Sequence, residues 1–353
     1  MSRSVKKKSL LVGISLCCIS ILAVLIVTEA TLAFFFPTYY RSPGPNSTYN
    51  LHAQEFRTPV KMNSLNLRDH EIYPKQAAVR RVLCIGDSFT YGVGVYLEQT
   101  YLKRVEQILK RRGQKEEWIN GSAGSCAPEQ YFLLADRGDW IKPDMVFVQC
   151  YIGNDFYDTV NDTEQPAEPH GVPHAQVQEK PRPKVLSNGF RAILAKSRVA
   201  ALVWNELIRH RWADDWLFRL NLRYGDRGIF LKRYPELERK LVFREVKGLW
   251  QIHRYCVQKG ISMVLIIIPT KVQVFKKSLF DQQKYDVEKP NRIIQVFCKR
   301  KGIGCIDLLE KYQKVSQRSL ERFYYKRDLH WTPQGHWFAA RVLVDWLEAR
   351  VRT

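Results

Sequence analysis

Apolar runs with the length of β-strands alternate with amphipathic segments along most of this 353-residue chain. Five runs have the apolar content of buried strands: RRVLCIG (80–86), EEWING (116–121), DMVFVQCYIG (144–153), SMVLIIIP (262–269) and GCIDLL (304–309). Helices are predicted over 98–112, 128–136, 243–258, 288–301 and 333–350. Strands and helices in turn need right-handed crossovers, which build a parallel sheet covered on both faces. We therefore predict an α/β fold with three layers and about five parallel strands.

Polar residues follow the strand ends of this predicted sheet. Ser88 follows the first strand, the small-residue turn NGSAG (120–124) follows the second, and Asn154 follows the third. Asp328 and His330 precede the last helix. Because ligands bind beyond the carboxyl ends of parallel strands, we expect these groups to meet at one edge of the sheet.

This set of residue types suits nucleophilic catalysis by a serine. A serine hydroxyl needs a base, and His330 can take the Ser88 proton while Asp328 orients the imidazole and stabilises its charged form. The oxyanion needs donors, which the Ser88 N–H, a backbone N–H of NGSAG and the Asn154 amide can supply. Taken singly, Ser88 is a typical helix N-cap and Asn154 a typical turn residue. Their convergence favours the catalytic interpretation.

The four blocks resemble those of the SGNH (GDSL-type) hydrolases. They are, in the order of the family's serine, glycine, asparagine and histidine blocks, GDSFT (86–90), NGSAG (120–124), GND (153–155) and DLHW (328–331). The closing stretch DLHWTPQGH looks like that of membrane-anchored extracytoplasmic members. The resemblance implies a flavodoxin-like α/β/α sandwich that needs no metal or organic cofactor.

The resemblance also implies roles for particular residues. The triad is Ser88, Asp328 and His330, and the oxyanion hole combines Ser88, the second block and Asn154. The second block departs from the family pattern, which places a glycine two residues after the asparagine. This chain has Ser122 there, so the second donor is either Ser122 or Gly121.

The N-terminus has the charge pattern of a signal anchor. Residues 1–8 are basic, and residues 9–28 form an uncharged apolar run that is followed by aromatic residues. About 20 such residues in a helix cross a hydrocarbon core of ~30 Å. The positive-inside rule then keeps residues 1–8 in the cytoplasm. A cleaved signal peptide is the alternative, although the apolar run is longer than such peptides need.

These features define the predicted domains. They are a cytoplasmic tail (1–8), a transmembrane anchor (9–36), an extracytoplasmic linker (37–78) and a hydrolase-like domain (79–353) with a helical and loop insertion (156–242). The insertion contains a proline-rich polar stretch and then an apolar, basic helical stretch. It is either a lid over the site or a membrane-surface helix. The predicted location is the inner membrane, with the catalytic domain outside the cytoplasm.

Charge and cysteine content narrow the partners. The chain has 56 Lys and Arg against 35 Asp and Glu, a formal net charge of +21, but the basic residues are dispersed and no nucleic-acid-binding motif is present. We therefore predict no nucleic-acid partner and expect an anionic lipid surface or envelope polymer. No C-x-x-C pair occurs, so no zinc site is predicted. Cys298 and Cys305 are the pair to test for a disulfide outside the cytoplasm.

The sequence thus predicts a serine ester hydrolase, an esterase or deacetylase, that forms an acyl-enzyme on Ser88. An O-acylated carbohydrate of the cell envelope is the hypothesised substrate, because aromatic side chains of the insertion can stack on sugar rings. These side chains are Trp204, Trp212, Trp216 and Tyr224. One alternative is an O-acyltransferase that uses the same triad, for which a membrane acyl-transfer partner is left open. The other is a non-catalytic envelope-binding protein on the same fold.

Overall fold

The computed structural model describes residues 3–35, 44–53, 55–122, 131, 134–135, 138–158, 199, 210–219 and 227–351. The chain divides into two compact units, one formed by 1–41 with 183–224 and the other by 42–182 with 225–353. Every predicted catalytic and oxyanion residue belongs to the second unit.

Among the described residues of this second unit, seven strands form two sheets. They are β1 (Thr48–His52), β2 (Arg57–Lys61), β3 (Arg80–Ile85), β4 (Glu116–Asn120), β5 (Met145–Tyr151), β6 (Ser262–Ile268) and β7 (Gly304–Asp307). β1 and β2 make an antiparallel hairpin. The other five are parallel, in the order β4–β3–β5–β6–β7. The five-stranded parallel sheet of the predicted α/β fold is confirmed.

The described α-helices are α1 (Arg3–Phe35), α2 (Ser88–Tyr91), α3 (Tyr101–Arg111), α4 (Asp155–Asp158), α5 (Arg211–Arg219), α6 (Glu236–Lys259), α7 (Lys271–Phe275), α8 (Lys289–Lys301), α9 (Leu308–Tyr312), α10 (Gln317–Leu320) and α11 (Pro333–Val351). Short 3-10 turns occur at Leu97–Gln99, Gly228–Phe230 and Lys277–Leu279.

The sheet is covered on both faces. On one side, α3 and α11 pack on each other, and α3 also packs on β4; their apolar side chains share a core with strand residues such as Val82, Phe147 and Ile266. On the other side, α6 and α8 pack against β6 and β7. Every residue of β6 after Ser262 is buried, as expected for a strand between two helical layers.

Two predicted helices start elsewhere than expected. α6 begins at Glu236 rather than near residue 243, after Pro235 and with acidic residues in its first turn, which suits the positive end of the helix dipole. α3 begins at Tyr101, because Leu97–Gln99 forms a separate 3-10 turn. The helix predicted over 128–136 lies mostly outside the described residues.

The structure differs from the predicted extracytoplasmic linker at 37–78, because the described part of this segment packs with the sheet. Residues 44–53 and 55–78 belong to the same unit as the sheet. Val60, Met62, Leu67 and Arg68 are buried there, with Leu67 fully so. The compact unit that contains the sheet therefore begins near residue 42 rather than 79. The apolar residues of this segment lack a regular period, which is why the sequence pattern suggested a linker.

The first unit contains α1 and α5. α1 covers most of the predicted anchor at 9–36. No helix among the described residues has both the length and the apolar character needed to cross a bilayer. Within the predicted insertion, the structure describes only 156–158, 199, 210–219 and 227–242. The choice between lid and membrane-surface helix therefore stays a prediction.

Cys298 and Cys305 are free thiols in this structure. Cys298 lies near the end of α8 and Cys305 in β7. A hydrogen bond with Cys298, together with burial, raises the pKa of the Cys305 thiol.

Candidate active site

Ser88 lies where β3 ends and α2 begins. After Ile85, Gly86 and Asp87 turn the chain, and Ser88 is the first helical residue. A Cβ at Gly86 would lie 2.4 Å from both Gln149 Oε1 and Thr90 Oγ1, so the turn requires glycine. The Asp87 carboxylate accepts the Phe89 N–H at 2.9 Å and caps the helix. The capping role is thus filled by Asp87, which leaves the Ser88 hydroxyl available for chemistry.

The structure brings Ser88, His330 and Asp328 together. His330 Nε2 lies 2.8 Å from Ser88 Oγ, and His330 Nδ1 lies 2.6 Å from Asp328 Oδ1. Asp328 Oδ1 also accepts the backbone N–H of His330 at 2.8 Å. An ionised Asp328 can only accept hydrogen bonds, so the Nδ1 proton points to Asp328 and Nε2 presents its lone pair to Ser88. This is the tautomer that a general base requires.

The surroundings of Asp328 favour its charged form. Burial alone raises the pKa of this carboxyl, but hydrogen bonds from His330 and the positive charge of Lys271 outweigh burial. The pKa of Asp328 therefore lies below its ordinary value. An ionised Asp328 can both orient His330 and stabilise the imidazolium that forms when the Ser88 proton is taken.

Aromatic rings fix the position of the His330 imidazole. The Phe89 ring lies 5.3 Å from the His330 ring and 4.9 Å from Trp331, which it meets edge to face. Tyr151 packs on the same Phe89 ring at 4.7 Å. Phe89 and Trp331 are buried, so the His330 ring packs against aromatic side chains of the core.

The predicted second oxyanion donors are already engaged in the fold. The Gly121 N–H donates to Cys84 O at 2.8 Å, and the Ser122 N–H donates to Asn120 Oδ1 at 3.2 Å. The Ser122 hydroxyl also donates to Asn120 Oδ1, at 2.6 Å. Asn154 lies between β5 and α4, where its carbonyl accepts the Tyr157 N–H at 2.8 Å. The oxyanion roles of Ser88, Gly121, Ser122 and Asn154 stay predictions.

A buried ion pair between Lys103 and Asp69 holds the end of β4, where the second block (120–124) begins. Lys103 Nζ lies 2.7 Å from Asp69 Oδ1, and both side chains are buried. Asp69 Oδ2 accepts the backbone N–H of Asn120 at 2.6 Å, while Lys103 donates to Trp118 O at 2.7 Å. Burial disfavours the Lys103 ammonium, but Asp69 and Glu106 more than compensate and raise the pKa of Lys103.

Sequence reasoning missed two side chains that hold the nucleophile turn. Gln149 Oε1 in β5 accepts the Asp87 N–H at 2.9 Å and the Thr90 hydroxyl at 3.0 Å. A glutamine inside a buried apolar strand needs a partner, so its position was a usable signal. Arg68 is 1% exposed, and its guanidinium donates to carbonyls at the end of α2 and just beyond it. These are Tyr91 O at 2.8 Å, Gly92 O at 2.6 Å and Val95 O at 2.5 Å.

One group of side chains has the composition of a metal site. Ligand atoms of Cys150, Asp155 and Glu245, all buried, lie within 4.8 Å of one another. The Cys150 thiol donates to Glu245 Oε1 at 3.8 Å. Burial, followed by the charges of Glu245 and Asp155, raises the pKa of Cys150 well above its usual value. We interpret the group as a protonated thiol in contact with a carboxylate.

The aromatic residues predicted to line a carbohydrate site are only partly described. Trp212 and Trp216 lie one turn apart on α5 with exposed fractions of 68% and 55%. Trp204 and Tyr224 lie outside the described residues.

One family model matches part of the chain. Residues 213–352 match a model described as the SGNH hydrolase-like domain of the acetyltransferase AlgX. Over these residues the chain is similar to that SGNH hydrolase-like domain. The matched segment includes Asp328 and His330, and Ser88 lies outside it, earlier in the chain.

The chain is similar to two curated proteins, both named "Alginate biosynthesis protein AlgX". The one from Pseudomonas aeruginosa is 28% identical over 142 residues, which cover 38% of this chain and 27% of that protein. The one from Pseudomonas putida is 30% identical over 106 residues, which cover 28% of this chain and 22% of that protein. The chain therefore matches less than a third of the length of either relative.

Solved structures also align with this chain. A lipase/acylhydrolase from Enterococcus faecalis aligns with a TM-score of 0.43 and 13% identity, covering 77% of this chain and 96% of that one.

Proposed function

We propose that this protein is an ester-acting serine enzyme that forms an acyl-enzyme on Ser88. The observation that carries the proposal is the continuous hydrogen-bonded line from Ser88 Oγ to His330 Nε2, at 2.8 Å, and from His330 Nδ1 to Asp328 Oδ1, at 2.6 Å. The similarity of residues 213–352 to a domain of an acetyltransferase adds support from an independent source.

The chemistry follows from the positions of the three groups. His330 Nε2 takes the Ser88 proton while Ser88 Oγ bonds to the carbonyl carbon of an ester. The tetrahedral intermediate collapses, and the leaving alcohol takes the proton back from His330, which leaves the acyl group on Ser88. A second hydroxyl compound then gives its proton to His330 and attacks the acyl-enzyme. The second tetrahedral intermediate collapses as His330 returns a proton to Ser88 Oγ, which frees Ser88 for another cycle.

The acceptor in the second half-reaction defines two candidate functions. With water as the acceptor, the protein is an esterase or deacetylase. With a sugar hydroxyl, it is an O-acyltransferase, and the match to a model described as an acetyltransferase domain favours this candidate. Both candidates place an O-acetylated carbohydrate on one side of the reaction, in line with the names of the curated relatives.

We also propose that the catalytic unit acts outside the cytoplasm. Support comes from the order of the N-terminal residues, in which a basic cluster at 3–8 precedes an uncharged apolar run. A C-terminal fusion to alkaline phosphatase, which is active only after export, tests the location. We expect the phosphatase fusion to be highly active. The proposal is contradicted if that fusion is inactive while a reporter that works only in the cytoplasm, fused at the same position, is active.

The catalytic proposal is tested with a fluorophosphonate probe and with p-nitrophenyl acetate on the purified full-length chain. We expect the probe to label Ser88, located by mass spectrometry, and to leave Ser88→Ala unlabelled. Ser125→Ala is a matched control, because it removes a serine hydroxyl from the second-block region without removing the nucleophile. Absence of both labelling and turnover in folded wild-type protein would favour the non-catalytic binding protein.

The acceptor is identified by product analysis. The acyl-enzyme made from p-nitrophenyl acetate is offered acidic and neutral oligosaccharides, and the products are separated by mass. A transferase should give acetylated oligosaccharide. An esterase should release free acetate at the same rate with and without the oligosaccharide. Both products must disappear in Ser88→Ala if the same nucleophile serves both reactions.

A further inference from the structure

The loop that carries Asp328 is held at its backbone by a carboxylate from far away in the sequence. Glu55, in the turn between β1 and β2, accepts three successive backbone N–H groups. Its Oε1 accepts from Lys326 at 2.9 Å, and its Oε2 accepts from Arg327 at 2.6 Å and from Asp328 at 3.0 Å. Glu55 and Asp328 are 273 positions apart in the chain, so only the tertiary fold brings them together.

A buried ammonium holds the carbonyl side of the same loop. Lys271, the first residue of α7, is 9% exposed. Its Nζ donates to Tyr325 O at 2.6 Å, to Lys326 O at 2.8 Å and to Asp328 O at 3.2 Å. Asp328 is therefore fixed by an anion at its N–H and by a cation at its C=O. Hydrogen bonds to charged groups are roughly twice as strong as neutral ones, so this arrangement restrains the loop firmly.

Aromatic contacts dock the hairpin turn on the loop. The Phe56 ring, next to Glu55, lies 5.0 Å from the Tyr325 ring. The Tyr325 hydroxyl donates to Gly94 O at 2.6 Å, beyond the end of α2. Gly94 has a φ of +87°, and a Cβ there would lie 2.7 Å from the Tyr325 ring. The tip of the hairpin is thus packed in place between the loop and the segment that follows the nucleophile helix.

The hairpin also contacts the nucleophile helix itself. The hydroxyls of Tyr49 in β1 and Tyr91 in α2 share a hydrogen bond. The β1–β2 hairpin therefore contacts the element that carries Ser88 through Tyr49 and the loop that carries Asp328 through Glu55.

We propose that Glu55 is a positioning residue for the Asp328–His330 pair. By fixing the amides of 326–328, it sets where the Asp328 carboxylate stands, and through Asp328 it sets the reach of His330 Nε2 to Ser88. Glu55 touches no reacting atom, so its effect passes entirely through Asp328. The kinetic consequence rests on the proposed function, since a displacement of about 1 Å in a catalytic group can cost about 10²-fold in rate.

Three variants of the full-length chain test the proposal. Glu55→Ala removes all three acceptor contacts, and Glu55→Gln is a milder change that keeps one acceptor oxygen. Glu71→Gln is the matched control, because Glu71 lies in the same N-terminal segment but binds Ser64 and is exposed. Each variant is compared with wild type by its rate of fluorophosphonate labelling across pH, by its Tm, and by the strongly deshielded NMR signal of the His330 Nδ1 proton.

The expected result is a graded loss that the control does not share. Labelling should slow by about 10²-fold in Glu55→Ala and by about 10-fold in Glu55→Gln, with the pH dependence displaced and the Nδ1 signal broadened or shifted. Glu71→Gln should match wild type in rate and signal. A purely structural Glu55 would lower Tm while the folded fraction kept the wild-type rate and signal, which would overturn the proposal. If Glu55→Ala does not fold, Glu55→Gln decides between these outcomes.

The NMR signal separates this proposal from the proposed function. A wild-type protein that shows the Nδ1 signal but is not labelled would contradict the function, while the response of the signal to the Glu55 variants would still decide the positioning role. A folded wild-type protein without the signal would contradict the Asp328–His330 geometry, and the positioning role would fail with it.

Discussion

The Asp87 carboxylate, rather than the neighbouring Ser88 hydroxyl, caps the helix that follows β3, because Asp87 Oδ1 accepts the Phe89 N–H at 2.9 Å. Two adjacent residues therefore fill two different roles, that of the helix cap and that of the proposed nucleophile. Asp87 stabilises the turn, and Ser88 is directed towards His330 at 2.8 Å.

This division predicts opposite phenotypes for two adjacent alanine variants. Asp87→Ala should lower the free energy of unfolding by about 0.5–2 kcal/mol, the usual cost of losing an N-cap. Ser88→Ala should leave stability within about 0.5 kcal/mol of wild type and reduce ester turnover by about 10⁴-fold or more. Urea denaturation and p-nitrophenyl acetate hydrolysis measure the two effects. A large stability loss in Ser88→Ala would show that the hydroxyl has a structural role instead.

Asp328→Asn tests whether the carboxylate sets the tautomer of His330. The side-chain amide of Asp328→Asn could donate a hydrogen bond to His330 Nδ1, which would place the imidazole proton on Nε2. A protonated Nε2 cannot accept the hydroxyl proton of Ser88. We expect turnover to fall by about 10⁴-fold with little change in fold. The comparison variant Asp345→Asn removes an acidic side chain on α11 away from the triad and should keep wild-type turnover. Near-wild-type activity in Asp328→Asn would mean that another group orients His330.

The strands and the meeting of Ser88, His330 and Asp328 could be predicted, because apolar runs mark the strands and the polar residues follow strand ends. A strand covered on both faces must be apolar along its length, as β6 is, and catalytic side chains follow strand ends in the order that the topology imposes. The contribution of residues 44–72 was not predictable. Arg68 and Glu55 act through backbone carbonyl and N–H groups far away in the sequence, and no residue pattern records such contacts.

The second oxyanion donor shows a different limit of sequence patterns. Both Gly121 and Ser122 follow β4 closely enough to supply an N–H, but the direction of that N–H depends on backbone torsions and on neighbours such as Asn120. The residue types at positions 121 and 122 indicate neither these torsions nor these neighbours. A backbone donor can therefore be placed in a block from sequence, but not assigned to one residue.

Gln149→Met should weaken the nucleophile turn from inside the sheet. Methionine is close to glutamine in size but offers no strong acceptor to the Asp87 N–H and the Thr90 hydroxyl, which Gln149 Oε1 holds at 2.9 and 3.0 Å. A buried donor left without a partner costs about 1–3 kcal/mol, so Tm should fall and labelling of Ser88 should slow. Gln107→Met is the control, because Gln107 is a partly exposed residue of α3 that bonds to Glu98 rather than to the Ser88 turn, and it should leave the labelling rate unchanged. Unchanged labelling in Gln149→Met would limit Gln149 to a packing role.

The burial of the His336 ring leads us to expect that the folded protein loses stability in acid. Its ring is 1% exposed, its Nδ1 accepts the Tyr101 N–H at 3.2 Å, and it packs against the Tyr101 and Trp331 rings. Burial, and to a lesser degree the charges of Arg68, His330 and Arg104, lower the pKa of His336 to about 3. Because the folded state disfavours the protonated ring, stability is complete above the unfolded pKa of about 6.5 and declines as pH falls from there towards 3.

The size of this effect can be isolated with a variant that does not titrate. At about 1.4 kcal/mol per pKa unit, His336 alone can remove roughly 4 kcal/mol between pH 6.5 and 3. His336→Asn keeps an acceptor for the Tyr101 N–H but binds no proton. Its free energy of unfolding at pH 8 should be lower than that of wild type, because ring packing is lost, while its slope against pH between 4 and 6.5 should be flatter. Equal slopes in the two proteins, measured by urea denaturation, would show that His336 is not the group that takes up the proton.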